Sequence, residues 1–185
     1  MGLHAPAKRF IHTTMSEHLP NMGRPAGTHE PPGVEHLYRD TAAALPVLLL
    51  TWDDPAAPLP ARHRHWAIAW HVGVASSGDG VYRQLAVVRE NGPRGLLAHL
   101  TNWGPKTKIV CERTRSVVIQ TLGYQQRLWL ERVAAAEPVV PPNGMWNGQD
   151  WIVSVLVKAV REGVVDREKV RLVLAQAGWT VPLPV

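Results

Sequence analysis

The sequence predicts an α+β domain in which a small antiparallel sheet packs against three C-terminal helices. Two observations carry this: strand-like alternation in the first part of the chain, clearest in "HWAIAWHVGV" (65–74), and helical spacing confined to the chain beyond Thr121. At 185 residues and 45% hydrophobic, the chain can bury one ordinary core and is too short for two comfortable ones.

The elements run in order along the chain. Residues 1–36 are rich in Pro, Gly, His and Met and have neither period, so residues 1–40 read as an N-terminal arm, extended or partly disordered. The remaining 41–185 read as a single α+β domain. "AAALPVLLLTW" predicts a buried strand, or a short helix running into one, ended by Asp53-Asp54-Pro55. In 65–74, alternation puts Trp66, Ile68, Trp70 and Val72 on a core face and His65, Ala67, Ala69 and His71 on the other. Small residues on that second face would let another element approach closely. "SSGDG" is a turn, 81–90 its antiparallel partner strand closed by Asn91-Gly92-Pro93, and 108–120 a further strand of weaker pattern. Helices are expected from Thr121 to Ala136 with Trp129 and Val133 on one face, and from Asp150 to a stop at Gly163. The second helix is apolar except for a stripe at Asp150, Ser154, Lys158 and Arg161, so it must be largely buried. Asp166 caps a third helix, whose Val170, Val173, Leu174 and Ala177 have core spacing.

Composition narrows the function classes. One cysteine, Cys111, excludes an internal disulfide framework and a multi-cysteine zinc site, and fits a cytoplasmic location. No run reaches the roughly 18 apolar residues of a membrane helix, and the N-terminus lacks a signal-peptide core. The net charge of +5 lies in residues 41–185, because residues 1–40 hold four basic and four acidic side chains. Its densest spots, Arg62/Arg64 and Lys106/Lys108 with Arg113/Arg115, form no long basic run, so nucleic acid is not the expected partner. His63, His65 and His71 share strand parity and would need His99 to complete a zinc site; no acidic or thiol ligand stands with them, and neither metal nor cofactor is assigned.

The chemistry concentrates at "WNGQDW" (146–151), the announcement of a buried helix whose N-terminus would direct unpaired N–H groups and a positive dipole end at whatever lies ahead. Papain-like enzymes place their cysteine at such a point, because the same field lowers a thiol's pKa.

With "RHWAIAWHVG" (64–73), "WNGQDWIVSVL" (146–156) resembles the permuted papain-like superfamily of NlpC/P60 and lecithin-retinol-acyltransferase-like domains, over roughly residues 62–165. It is most similar to small fungal proteins with "CQDWV"-like segments. The resemblance implies that His65 stands at the general base and Gly148 at the nucleophilic cysteine. It also implies a polar residue, Gln84 or Tyr82, that orients the base. Glycine supplies no nucleophile, so a thioester route through this position is closed.

The expected function is therefore a thiol-less papain-like module that binds a small molecule or peptide or regulates. Its pocket would comprise His65, the vacated Gly148 and the helix start at Asn147, Gln149 and Asp150, beside Trp66 and Trp146. One alternative is a hydrolase, acyltransferase or cyclase/isomerase that uses His65 as base without a cysteine. Another is a subunit of a larger assembly, held to a protein partner by residues 1–40.

Overall fold

A computed structural model of the chain describes residues 18–27, 29, 33–52, 60–90, 99–110 and 114–183. Its strands are β1 (Leu45–Trp52), β2 (Trp66–Val74), β3 (Gly80–Leu85), β4 (Val88–Glu90), β5 (His99–Thr101), β6 (Lys106–Val110) and β7 (Thr114–Leu122). Among the described residues the α-helices are α1 (Tyr124–Ala136), α2 (Gly148–Arg161) and α3 (Arg167–Gln176). The α+β class expected from the sequence holds. The main sheet is antiparallel with strand order β6-β3-β2-β1-β7, and β4 pairs with β5 in a separate two-stranded ribbon.

β2 lies at the centre because Trp66, Ile68 and Trp70 bury completely on one face while Ala67 and Ala69 bury on the other. On the first face α2 packs against β2, α3 against β7, and α1 against α2. Val47, Leu49, Trp66, Ile68, Trp70 and Leu85 meet Trp151, Ile152, Val155 and Leu156 there in one continuous core. The polar stripe of α2 is bonded at its N-terminal end and midpoint while Lys158 and Arg161 keep exposed surface. Ser154 Oγ donates to the Glu137 carboxylate, Lys158 pairs with the same carboxylate, and Asp150 takes Arg62. α3 begins at Asp166, whose Oδ1 accepts from the Lys169 N–H at 2.9 Å, and it buries Val170, Val173 and Leu174 as the spacing requires.

Three expectations are corrected. Residues 81–90 do not form one strand: β3 ends at Leu85, Val87 turns into the core, and β4 leaves to pair with β5. The single strand over 108–120 is two, β6 and β7, which lie at opposite edges of the sheet. Three residues separate Val110 from Thr114, a reach of about 14 Å at most, whereas the edges of a flat five-stranded sheet stand about 19 Å apart. The sheet is therefore strongly coiled. Finally, α1 starts at Tyr124 because Thr121 and Leu122 complete β7, and its buried stripe is Arg127, Leu130 and Ala134, with Trp129 and Val133 only partly covered.

Arg127 explains that shift. Its side chain is 0% exposed and forms a two-point ion pair with Asp40 (3.0 and 2.8 Å), while its remaining donors reach the carbonyls of Thr41, Ala43 and Leu122. A buried guanidinium is tolerated when every donor is engaged, and here that requirement draws the chain before β1 onto the domain. The described part of residues 1–40 is thus bonded into the fold. Leu19 N–H donates to Val139, Asn102 N–H to Met22, and Tyr38 lies so close to Gly73 that a Cβ there would come within 2.8 Å of its ring. Asp53-Asp54-Pro55, Asn91-Gly92-Pro93 and Cys111 lie outside the described residues.

Candidate functional site

The two halves of the expected site lie on opposite faces of the sheet. On the helix-covered face, Asn147 caps α2: its Oδ1 accepts from Gln149 N–H at 2.8 Å, while Asp150 Oδ2 accepts from Asn147 N–H at 2.7 Å. Arg62 closes the arrangement, donating to Asn147 Oδ1 at 3.1 Å, to the Met145 carbonyl at 3.1 Å and to Asp150 Oδ2 at 2.5 Å. Buried Gln149 sends its amide to the carbonyls of Ala61 and Arg64. The positive end of α2 is therefore already met by the Asp150 carboxylate, itself held by Arg62, and these residues join the 61–64 turn to the helix. A Cβ at Gly148 would touch Val87 Cγ2 at 3.3 Å, the one non-local group within 4 Å. Trp66 is core, its ring tilted against Trp179 at 6.2 Å, and Trp146 is partly buried against the same core.

His65 belongs to the other face. Its carbonyl accepts from Trp52 N–H at 3.0 Å, extending the β1–β2 ladder by one residue, so alternation carries its ring away from Trp66 and the helices. The ring packs on Trp52 at 4.8 Å. Crowding by its surroundings, and then the charge of Lys108, push its pKa down to about 4. The residue keeps exposed surface, and water there offsets part of the desolvation without reversing its direction. His65 is a neutral, weak base at pH 7.

Gln84 shares the His65 face. It stands opposite Ala69 on one side and Lys106 on the other, while Tyr82 stands between His71 and Lys108. The intervening Arg83 and Thr107 point to the helix side, where Arg83 holds Glu131 of α1 at 2.6 Å. Gln84 is 4% exposed, and its Nε2 has no hydrogen-bond partner. Around it lies a cavity of about 90 Å³ lined by Ala86, Val88, Trp103, Lys106 and Lys108. Partial desolvation and the neighbouring charge of Lys106 lower the pKa of Lys108, and the exposed surface that this side chain keeps offsets part of the first effect. Near the rim, Glu35 accepts the Thr107 N–H at 2.8 Å and pairs with Arg83. Partial burial works against its ionisation, but the hydrogen bond from Thr107, its own N–H and the charges of Arg83 and Lys106 hold its carboxyl below the usual range.

Of the expected site residues, then, His65 and Gln84 share one face, and Gly148, Trp66, Trp146, Asn147, Gln149 and Asp150 gather on the other side of the sheet. Two other histidines are engaged separately: His71 meets Tyr82 edge-on, and His99 Nε2 lies 2.6 Å from the Gly23 carbonyl. Among the described residues no three metal-ligating side chains gather, and no helix is long and apolar enough to cross a membrane. Lys106 and Lys108 read from sequence as solvated charge. The signal that could have found them is the K-x-K spacing, which on a strand puts both amines on one face. The chain matches no family model, no curated protein and no solved structure.

Proposed function

We propose that the protein is a small-ligand-binding module without a thiol, and that its ligand is a small carboxylate seated in the cavity of Gln84, Lys106 and Lys108. The observation that carries this reading is the buried, unpartnered Gln84 Nε2. A buried N–H donor without an acceptor costs about 1–3 kcal/mol, and a ligand oxygen would recover that. Two lysines beside it supply positive charge, and Ala86, Val88 and Trp103 supply an apolar wall. That pairing suits a carboxylate with a short apolar body better than a fully hydrated anion such as phosphate. At about 90 Å³ the cavity is well below the roughly 300–1000 Å³ of a drug-sized site, so the occupant is a small molecule or the end of a larger one. The resemblance of residues 62–165 to papain-like domains fits the same reading, since Gly148 offers no nucleophile.

Titration of the full chain with propionate, followed by amide shift mapping, tests it. Saturable shifts centred on Gln84, Lys106 and Lys108 are expected, weakened about tenfold or more by Gln84→Leu, because a hydrogen bond to a charged group contributes about 1.5–3 kcal/mol. Shifts absent up to the solubility of the salt, or present and insensitive to Gln84→Leu, would mean that water alone satisfies the amide.

A further inference from the structure

Lys106 and Lys108 are two residues apart on β6 and point to the same face, one opposite Gln84 and the other opposite Tyr82. Both line the cavity into which the unpartnered Gln84 amide is buried. Resting on the carboxylate-binding reading above, we infer that Lys108 is a carbonyl-capturing amine and that the cavity takes small 2-oxo carboxylates, which form an imine on its Nζ.

The division of labour comes from position. Lys106, across from Gln84, offers charge to the ligand carboxylate, and Gln84 Nε2–H donates to the carbonyl oxygen. Among the described residues the groups acting on Lys108, which keeps exposed surface, are partial desolvation and the charge of Lys106 on its own strand. From the neighbouring strands it faces Tyr82 and, beyond it, His71; across the sheet its charge is felt by His65. Glu35, the nearby acid, is committed to Thr107 N–H and Arg83. An ordinary lysine is almost wholly protonated at pH 7, and each unit by which its pKa falls raises the reactive neutral fraction about tenfold. A second cation held two residues away on the same strand face is one way protein amines are made nucleophilic, and Lys106 stands there.

The step balances without an oxidant or reductant. The neutral amine nitrogen forms a bond to the carbonyl carbon, the carbonyl π pair moves to oxygen, and the oxygen takes up one of the nitrogen's two protons, giving a neutral carbinolamine. The carbinolamine then loses its hydroxyl, with the nitrogen-bound proton, as one water, leaving the imine. The neutral His65 ring lies on the same face, and no role in the proton movements is assigned to it.

The test incubates the full chain with pyruvate, adds borohydride as external hydride donor to fix any imine, and maps the modified lysine by peptide mass spectrometry. Expected is one reduced pyruvate adduct on Lys108, at least about tenfold above any other lysine, suppressed by propionate and lost in Lys108→Arg. Propionate, which has no ketone, is titrated separately into the unmodified protein. If propionate binds in a Gln84-dependent way but pyruvate fixes nowhere, or fixes evenly over surface lysines, the imine inference is overturned while the binding reading stands. If propionate does not bind and Lys108 is not selectively fixed, both fall.

Discussion

The two faces of the central sheet solve opposite problems. On the helix-covered face the charged and amide side chains drawn inside are answered, Arg127 by Asp40 and three carbonyls, Gln149 by two, Glu137 by Ser154 and Lys158, while the indole N–H groups of Trp66, Trp70 and Trp179 are buried without an acceptor. On the other face small residues bury completely, yet Gln84 Nε2 remains unanswered beside a cavity with two amines. A satisfied polar group holds the fold, and Gln84 differs from the unpartnered core indoles in that it lines a cavity where a partner from outside the chain has room. The difference separates structural polarity from functional polarity, and it reverses the first impression of "WNGQDW". The helix start there is fully capped, and the cavity beside Gln84 lies elsewhere.

Truncation on the helix-covered face should be severe. Ile152→Ala removes a fully buried side chain from the core and is expected to destabilise by about 2–5 kcal/mol in urea unfolding. A loss under about 1 kcal/mol would show that α2 is not the main packing element. The start of α2 comes next: Asn147→Ala removes the cap and one of three acceptors of Arg62, with an expected loss of about 1–2 kcal/mol and early exchange of the first-turn amides.

The other face should respond through charge and ligand rather than packing. Because the folded pKa of His65 lies below its ordinary 6.5, at about 4, the unfolded chain binds the proton more readily between those values. Its contribution to stability is present above about pH 6.5 and is lost as pH falls toward 4. The urea midpoint should therefore decline over that window, and His65→Gln should flatten the decline; an unchanged slope would place the acid sensitivity in other groups. Gln84→Leu is expected to leave stability within about 1 kcal/mol of the parent, or raise it, since it deletes an unanswered donor. A loss of several kcal/mol would mean that the amide is structurally engaged and would remove the basis for a site.

The smallest effect bears most directly on the separation of the faces. Gly148→Cys should give a thiol whose alkylation rate is indifferent to His65→Ala, because the ring and the helix start are divided by the sheet. Coupling between the two substitutions would put them in one site and restore the papain-like geometry.

Much of this fold is legible in the sequence. Period-two alternation in 65–74 sorts Trp66, Ile68 and Trp70 from His65, Ala67 and Ala69, and the narrow polar stripe of 150–161 announces a buried helix. The cap at Asn147 is readable from "NG" before an apolar run. The relation between His65 and Gly148 is not legible in the same way: resemblance joins them, whereas strand alternation turns the His65 ring away from the helix-covered face. The breaks at Ala86 and between Val110 and Thr114 escape for a related reason, since the residues flanking them are equally strand-forming and only their pairing partners differ.

The sequence by itself determined the class of each element, the parity of side chains along β2, the start of α2 and α3, and the need to bury α2. Those are local matters, set by backbone geometry and by the spacing of apolar residues. Only the tertiary structure decided which face of the sheet the helices cover, which strands stand beside Gln84, and that Asp40 answers Arg127 across 87 residues of chain. These depend on contacts between segments distant in sequence, where many pairings are compatible with the same alternation and the packing of the whole domain selects one.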